Sequence, residues 1–385
     1  MHRCPQPIIL FFFLLSLTIV AAVPLKAQET ISIGVVLPLT GYQEAAGARE
    51  RQAFEFAEEQ VNLAGGIQGR LLHLIFIDST GSPVQAVEAV KKTMSGVDEL
   101  LLLTGGCSSP ASWAVAAYAQ QQQIPFLITT AANPKITRQH WDYIFRLAPL
   151  EEEKLLPIAR YIKQIEGYQT AAIIYENSIC RTETAKKLKY LCADLGLDLA
   201  IWSSYRPGRI NTRYLGEQLA EKEPEILFLV GNGTDATPLL EYLHKQGNVP
   251  LHIVGCTGAF SQQSLWDNAG ELANGVQAVA PWGDFLPYEG IERFVNDYRL
   301  AFAEAPDYHA AAAQASIDVI RETLSHALLF TREEIRDLLA DTDMMTVFGP
   351  ISFITDGQHT NQNRLTGHLL QWQNGILELV PPPED

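Results

Sequence analysis

The sequence predicts an α/β protein with two lobes, each built on a doubly wound parallel sheet. The length of 385 residues is too great for one ordinary domain and fits two of moderate size. A hydrophobic fraction of 47% and a charged fraction of 19% support buried cores and argue against disorder. Strand and helix patterns also alternate along the chain, and the alternation restarts after Pro149. Two such series indicate two sheets.

The strands of the first series are nearly all apolar, as expected where helices cover both faces of a parallel sheet. Its helices carry apolar residues at a spacing of three or four, and Gly65-Gly66 provides a stop for the first of them. The predicted strands are Ile31–Leu37, Leu71–Ile77, Leu100–Thr104 and Pro125–Thr129, and the predicted helices are Arg49–Ala64, Pro83–Met94 and Ser109–Gln121.

The second series repeats this alternation in the middle of the chain. Because apolar strands again alternate with helices, we expect right-handed βαβ units and a second parallel sheet. The predicted helices are Glu151–Ile165, Thr182–Leu195, Arg213–Glu221 and Thr237–Gln246, and the predicted strands are Thr170–Tyr175, Leu199–Ser203, Ile226–Val230 and Leu251–Val254.

The C-terminal third contains too few strand patterns for a third domain. Two helices, Tyr288–Ala303 and His309–Leu328, precede strand-like pieces at Val347–Ile354 and Leu369–Val380. We expect these elements to return to the two lobes and complete them. The predicted division is 28–149 for the first part of lobe 1, 150–278 for the first part of lobe 2, 279–355 for the return to lobe 1 and 356–385 for the return to lobe 2.

Residues 1–27 have the order of a secretory signal peptide. Arg3 supplies a basic start, Ile8–Val23 is an apolar run, and the small residues of a cleavage region are Ala21-Ala22 and Ala27. The alternative is a retained membrane anchor, but the run is short for a bilayer span. No Cys comes directly after the run, at the place where a lipid would be attached, which argues against a lipid anchor. We therefore expect a soluble chain exported to the periplasm.

Charge and cysteine content exclude several classes of partner. The net charge of −16 and the lack of a basic run disfavour nucleic acid and anionic lipid surfaces. Four cysteines follow the predicted signal peptide without a C-x-x-C pair, which indicates neither a metal site nor a dense disulfide framework and leaves their pairing open. They are Cys107, Cys180, Cys192 and Cys256.

Sequence signatures of enzymes are also missing. The chain has no H-E-x-x-H, no G-x-S-x-G and no phosphate-binding loop of the Gly-Lys-Ser/Thr type. Gly231–Ala236 has the form G-x-G-x-x-A, but the strand Leu251–Val254 is not followed by the acid that binds a dinucleotide ribose. A tight strand-to-helix turn explains these glycines better. We expect no catalytic residue, no cofactor and no metal.

Candidate binding residues follow the predicted strands, because open parallel sheets bind ligands beyond the carboxyl ends of their strands. These segments are rich in Gly, Ser, Thr and Asn, which offer N–H groups and hydroxyls. They are Gly41–Gly47, Gly105–Ser109, Thr129–Asn133, Asn177–Arg181, Gly231–Asp235 and Gly255–Phe260.

Among these segments, Gly105–Ser109 is the strongest candidate for a ligand-binding segment. Ser109 fits a helix cap and Pro110 the first helical position, and a helix N-terminus suits a carboxylate. The alternative is that Ser109 only caps its helix.

Three other residues each allow two interpretations. Thr130 could bind a ligand or belong to a polar turn, and Trp282 could stack on a ligand or pack in a core. Cys107 could be an activated thiol, but a buried structural cysteine is favoured.

Several motifs resemble the type I periplasmic binding proteins. Ile33–Gly41, Val61–Arg70, Cys107–Ser109 and Ile124–Thr137 are similar to the leucine/isoleucine/valine-binding proteins of branched-chain amino acid ABC transporters. The resemblance runs from about Ile31 to Trp372 and weakens in the second lobe. It implies two Rossmann-like lobes that are joined by three crossings and close on a ligand by a hinge.

The resemblance also implies a set of binding residues. Ser109 would hold the ligand carboxylate with help from Thr130, while Ala132 replaces a threonine of the family. The acid that family members use for an α-ammonium falls near Thr257, where this chain has no carboxylate; Asp235 or Asp284 could replace it. Family aromatic positions fall on Ala46, Cys180 and Gly233. The candidate ligand-binding residues are Ser108, Ser109, Thr130, Ala131, Ala132, Cys180, Arg181, Gly233, Asp235, Thr257 and Trp282.

The resemblance predicts a monomeric solute-binding protein that delivers its ligand to an ABC permease in the inner membrane. Compared with the family, this chain keeps the residues that would bind a ligand carboxylate but differs at those that would bind an α-ammonium. We therefore expect a small carboxylate- or amide-bearing ligand, such as an amino acid or a related compound. The alternative is a periplasmic sensor that reports the same ligand to a membrane receptor or kinase. An enzyme that turns over the bound solute is a third possibility.

Overall fold

Two separate sheets organise the protein. The computed structural model describes residues 29–380 apart from 42, 98–99, 165–167, 248 and 251. The strands are β1 (Thr30–Leu37), β2 (Leu71–Asp78), β3 (Leu102–Gly105), β4 (Phe126–Ile128), β5 (Ile144–Arg146), β6 (Thr170–Glu176), β7 (Asp198–Tyr205), β8 (Ile226–Val230), β9 (His252–Gly255), β10 (Gln277–Ala280), β11 (Asp343–Thr346), β12 (Gly349–Ile354), β13 (Gln362–Asn363), β14 (His368–Gln373) and β15 (Ile376–Leu379).

Helices cover both faces of these sheets. They are α1 (Glu44–Leu63), α2 (Pro83–Gly96), α3 (Ser109–Gln121), α4 (Glu151–Gln164), α5 (Ile179–Asp194), α6 (Thr212–Lys222), α7 (Gly233–Gln246), α8 (Gln263–Ala269), α9 (Ile291–Phe302), α10 (Tyr308–His326) and α11 (Arg332–Ala340). Short 3₁₀ turns occupy Pro134–Gln139, Gly258–Ser261 and Gly270–Ala273. Within the described residues, no helix has the length and apolar character needed to span a membrane.

Each sheet is mainly parallel with antiparallel strands at one edge. The sheet of lobe 1 has the order β11-β12-β13-β5-β4-β3-β1-β2, and its two antiparallel pairs are β11–β12 and β12–β13. The sheet of lobe 2 has the order β15-β14-β10-β9-β8-β6-β7, and β14 is antiparallel to both of its neighbours, β10 and β15. The predicted fold class, two doubly wound α/β lobes, is confirmed.

Alternation along the central strands separates the core of each lobe into two layers. In β1, Ile33 and Val35 belong to the cluster formed with α1 and α10, whereas Val36 belongs to the cluster formed with α2 and α3. Ala172 and Ile173 divide in the same way in β6. Burial of each valine or isoleucine side chain contributes about 1.5–3 kcal/mol to folding, which is why all-apolar strands predict helices on both faces.

The chain crosses between the lobes three times. It leaves lobe 1 after β5, returns after β10, and leaves again between β13 and β14. The predicted boundary at 355 is therefore too early, because β13 still belongs to the sheet of lobe 1. The boundary at 278 cuts β10, which continues to Ala280. A two-residue strand made of Gln362 and Asn363 has no apolar alternation that a sequence pattern could reveal.

Hydrogen bonds fasten the crossing segments to one another. Arg146 at the end of β5 is fully buried and donates to Gln362 Oε1 at 2.7 Å and to the Asn133 carbonyl at 2.6 Å. Tyr288, which packs on the core of lobe 1, pairs its hydroxyl with His368 Nε2 of β14 at 3.1 Å. The lobes are thus joined by ordered strands and side-chain bonds.

Candidate functional site

A tight turn delivers the chain from β3 to the start of α3. Gly105 and Gly106 have φ angles of +92° and +90°, in the left-handed region that favours glycine. A Cβ atom on Gly105 would lie 2.6 Å from the Val36 carbonyl oxygen, and one on Gly106 would lie 2.7 Å from Ser112 Oγ. The glycines are required here because backbone and side-chain atoms fill the space around the turn.

The two serines after this turn differ in role. Ser108, not Ser109, is the N-cap of α3; it is buried, and its hydroxyl donates to the Gly81 carbonyl at 3.3 Å. Ser109 is the first helical residue and Pro110 the second, so the predicted cap is one residue too late. Ser109 is half-buried, and its hydroxyl makes no hydrogen bond within the described residues. It therefore lies at a helix N-terminus with its donor and acceptor capacity unused.

A buried carboxylate lies behind the ends of β3 and β4. Glu50 of α1 is fully buried, and Oε2 accepts a hydrogen bond from the Thr129 hydroxyl at 2.6 Å. Oε1 accepts one from the Thr130 hydroxyl at 2.6 Å and lies 3.0 Å from His309 Nδ1. No sequence signal pointed to Glu50, because a glutamate inside a predicted helix normally lies on its solvated face.

The bond to Glu50 changes the role expected for Thr130. A hydroxyl has a single hydrogen to donate, and Thr130 gives it to Glu50. Its oxygen can therefore accept a hydrogen from a ligand N–H group, but the hydroxyl cannot also donate to a ligand carboxylate. Thr129 has no exposed surface, whereas Thr130 keeps 8% of its surface exposed.

The neighbours of Thr130 are mostly held by backbone contacts. Ala131 is buried and its N–H donates to the Gly106 carbonyl at 2.9 Å, which ties the turn after β4 to the turn after β3. Ala132 is half-buried and has no side-chain polar group. Neither residue has a polar side-chain group, so each can offer only its backbone atoms to a ligand.

Glu50 contributes to the pKa shifts of two neighbouring groups, Cys107 and His309. Burial, reinforced by the charge of Glu50, raises the pKa of the Cys107 thiol far above its usual range, so this cysteine is a buried thiol and not an activated nucleophile. Burial alone would lower the pKa of His309, but the hydrogen bond and charge of Glu50, with a further contribution from Asp307, raise it above the ordinary value.

The carboxyl edge of lobe 2 carries a second group of predicted residues. Gly233 is the first residue of α7, and Asp235 is a buried acid in its first turn, where the Gly208 N–H donates to Oδ2 at 3.3 Å. Thr257 is buried and donates its hydroxyl to the Gly231 carbonyl at 2.7 Å. A Cβ atom on Gly231 would lie 2.0 Å from the Tyr205 hydroxyl. The glycines of this segment serve a tight strand-to-helix turn, and Asp235 supplies a carboxylate at this edge.

Cys180 and Arg181 are the second and third residues of α5, next to the carboxyl end of β6. The side chain of Cys180 lies outside the part of the chain that the structure describes. Arg181 is half-buried, and its charge acts on the Tyr205 hydroxyl, whose pKa is raised by burial and by Asp235. Both residues therefore stay at the edge of lobe 2 where the sequence predicts them.

The structure places Trp282 in the core of lobe 1. It is 6% exposed, belongs to the apolar cluster around α1 and α10, and its indole N–H donates to the Val347 carbonyl at 2.7 Å. An indole bonded and buried in this way fills a core, so stacking on a ligand, which was one sequence-based expectation, is not supported. Asp284, the other candidate for an ammonium partner, instead pairs with Arg299 at 2.8 Å.

A narrow apolar pocket without room for a water molecule lies away from these groups. His252 and Gln277, which line it, are the first residues of β9 and β10. The pocket therefore lies at the amino ends of the strands, the edge opposite to the candidate site. In the described part of the chain, no three His, Cys, Asp or Glu side chains are grouped to hold a metal ion.

Comparisons with known proteins agree with this architecture. The Leu/Ile/Val-binding protein homolog 7 of Brucella melitensis is 24% identical over 388 residues, which cover 96% of this chain and 95% of the relative. A branched-chain amino acid transporter substrate-binding protein from Streptococcus pneumoniae, solved with isoleucine, has a TM-score of 0.73 and 20% identity over 91% of this chain and 99% of its own.

A third comparison has a different ligand. A solute-binding protein of an ABC transporter from R. palustris, solved with benzoate, has a TM-score of 0.71 and 16% identity over 91% of this chain and 95% of its own. At these identities the structures show a shared fold. Residues 30–375 also match the sequence profile of the periplasmic binding proteins. Since this match covers most of the chain, the protein belongs to the periplasmic binding protein family.

Proposed function

We propose that this protein is the extracytoplasmic solute-binding component of an ABC importer and captures a small carboxylate-bearing ligand between its two lobes. The observation that carries the proposal is Ser109, a half-buried hydroxyl at the first residue of α3 that makes no hydrogen bond within the described residues. The N-terminus of a helix carries free N–H groups and a partial positive charge, which together suit a carboxylate.

The carboxyl edge of lobe 2 provides groups for the rest of a ligand. Asp235 supports recognition of an ammonium group, since a buried ammonium requires a counter-charge. The Thr130 oxygen, restricted to accepting, suits an N–H donor in the same way. These features extend the ligand class to zwitterionic amino acids. The isoleucine and benzoate held by two proteins of similar fold both carry a carboxylate, and only one carries an amino group.

Binding would be coupled to movement of the lobes. A ligand that contacts both carboxyl edges stabilises the closed arrangement by the contacts that it gains there. The three crossings provide the hinge. Family membership implies an extracytoplasmic location, and we propose that the monomeric protein works in the periplasm after removal of residues 1–27 and passes its ligand to a membrane permease.

A thermal-shift screen tests the proposal. The mature protein is heated with L-leucine, L-isoleucine, L-glutamate, benzoate and the matching amides, because a ligand that binds only the folded state raises Tm. We expect at least one carboxylate to raise Tm in a concentration-dependent manner. A panel in which no carboxylate changes Tm would contradict the proposed ligand class.

Uptake measurements distinguish import from sensing. Deletion of the gene should abolish uptake of the ligand that stabilises the protein, and complementation should restore it. Unchanged uptake, together with loss of a ligand-dependent kinase response, would instead identify the sensory alternative.

A further inference from the structure

His309 covers Glu50 and keeps one ring nitrogen unused. It is the second residue of α10, and its Nδ1 lies 3.0 Å from Glu50 Oε1. The His309 side chain is 30% exposed, whereas Glu50 has no exposed surface. Because Nδ1 is turned inward, Nε2 lies on the other side of the ring, and it makes no hydrogen bond within the described residues. The imidazole therefore links a buried acid to the accessible side of lobe 1.

The partners of Glu50 determine which nitrogen carries hydrogen. Both carboxylate oxygens accept hydroxyl hydrogens, from Thr129 at Oε2 and from Thr130 at Oε1. Because both Glu50 oxygens serve as acceptors, we infer that His309 Nδ1 donates to Oε1. Nε2 is then an acceptor in the neutral imidazole and a donor in the imidazolium. The charge of His309 thus decides what the exposed nitrogen can recognise.

The charged groups around His309 come from three elements. Glu50 of α1 and Asp307, the residue before α10, favour the imidazolium, whereas burial and Lys154 of α4 oppose it. The balance raises the pKa of His309. Since α4 belongs to lobe 2, the influence of Lys154 also places His309 near the boundary between the lobes. Tyr308 makes a ring contact with His309 at 5.5 Å between centroids.

The pair also adjoins the start of α3. Glu50 contacts the Cys107 thiol, which directly precedes Ser108 and Ser109. Thr130 and His309 share the same carboxylate oxygen. The imidazole is therefore on the wall of lobe 1 that carries Ser109, the group assigned above to a ligand carboxylate.

We propose that His309 is a specificity-determining residue of this site, whose Nε2–H, oriented by Glu50, donates to an anionic oxygen of the solute and selects carboxylates over their neutral amides. This inference rests on the proposed function and names the lobe 1 group that recognises the anion. Glu50 is a positioning residue, since it acts on the ligand only through His309 and Thr130.

The first readout requires no ligand. In the mature protein with ¹⁵N-labelled histidine, nuclear magnetic resonance should show His309 protonated on Nδ1 at all pH values and titrating with a midpoint above the ordinary value for histidine. Glu50→Gln should lower the midpoint of His309. A neutral ring protonated only on Nε2 at pH 7 would overturn the inference.

The second readout uses L-leucine and benzoate as probes, with L-leucinamide and benzamide as their neutral counterparts. Calorimetry from pH 5.5 to 8.5 should show the carboxylate affinity falling about ten-fold or more as His309 loses its proton, because hydrogen bonds to charged groups are the stronger class. His309→Gln should remove this pH dependence, and His326→Gln should retain it.

The outcomes separate the two proposals. Carboxylate binding with the same pH profile in wild type and His309→Gln would overturn the role of His309 and leave the proposed function standing. If the wild-type protein binds none of these carboxylates, the proposed ligand class is wrong. The ligand-free measurement of the tautomer and titration midpoint of His309 then still tests whether Glu50 orients and charges its ring.

Discussion

The Thr130 hydroxyl donates to Glu50 Oε1 at 2.6 Å, across 80 positions of the chain. The resemblance to known binding proteins assigns Thr130 to the ligand carboxylate, but this bond directs its only hydrogen into the protein. What faces a ligand is therefore an oxygen with lone pairs. We therefore propose that an anion is recognised on lobe 1 by Ser109, by the N–H groups at the start of α3 and by His309.

Ser109→Ala tests anion recognition at α3. The substitution removes a hydroxyl that has no bond within the described residues, so we expect little change in stability and a loss of about 1–3 kcal/mol in the binding free energy of a carboxylate. Calorimetry measures the affinity. Ser82→Ala is the control, because Ser82 is the N-cap of α2 and also makes no capping bond. Equal affinities for Ser109→Ala and wild type would contradict the assignment.

Asp235→Asn tests the counter-charge on lobe 2. The affinity for L-leucine should fall by about ten-fold or more, since an ammonium would lose its ionised partner, while the affinity for benzoate should stay unchanged. Asp284→Asn is the matched control, because Asp284 pairs with Arg299 at the surface. Parallel losses for both ligands would point to a structural role for Asp235.

Thr129→Val tests the buried cluster through stability. The change keeps the shape of the side chain but leaves Glu50 Oε2 without the hydroxyl that it accepts, so the free energy of unfolding should fall by about 1–3 kcal/mol. Urea denaturation followed by circular dichroism measures it. Thr93→Val, which alters a half-buried threonine bonded only within its helix, should cost less. A neutral effect of Thr129→Val would contradict the hydrogen-bonded cluster.

Trp282→Phe separates packing from ligand contact. Loss of the indole bond to the Val347 carbonyl should lower the free energy of unfolding by about 1–3 kcal/mol. Affinity for the ligand should remain that of wild type in calorimetry at a temperature where the variant is folded. A loss of affinity without a loss of stability would instead indicate that Trp282 contacts the ligand.

Stability should depend on pH through the Glu50–His309 pair. The pKa of His309 is raised above 6.5 in the folded protein, so the contribution of the pair is complete below that value and is lost as pH rises through the higher, folded pKa. The free energies of unfolding of wild type and His309→Gln, measured by urea denaturation, should therefore differ more at pH 6 than at pH 9. A difference that stays constant across this range would contradict the charged pair.

Local patterns in the sequence were sufficient to predict most of the fold. The strand predicted at Leu71–Ile77 is β2, Leu71–Asp78, and the helix predicted at Pro83–Met94 is α2, Pro83–Gly96. Such elements are specified by apolar periodicity and by flanking Gly and Pro residues. The three residues of β5 and the two of β13 are too short to show a period, and α11 was not predicted.

The site was less accessible to sequence reasoning because it depends on long-range contacts. Positions at strand ends, such as Ser109 and Asp235, followed from the rule that ligands bind at the carboxyl edge. Glu50 and His309 are 259 positions apart and meet only because α1 and α10 pack on the same face of lobe 1. No periodicity or motif in a single sequence contains that pairing.

A crystal structure with the carboxylate that most raises Tm tests the central claim most directly. We predict that the ligand lies between the lobes, with a carboxylate oxygen within about 2.7–3.1 Å of Ser109 Oγ or of an N–H group at the start of α3, and that lobe 2 contacts its other end. A ligand found away from both carboxyl edges, or bound to one lobe alone, would contradict the claim.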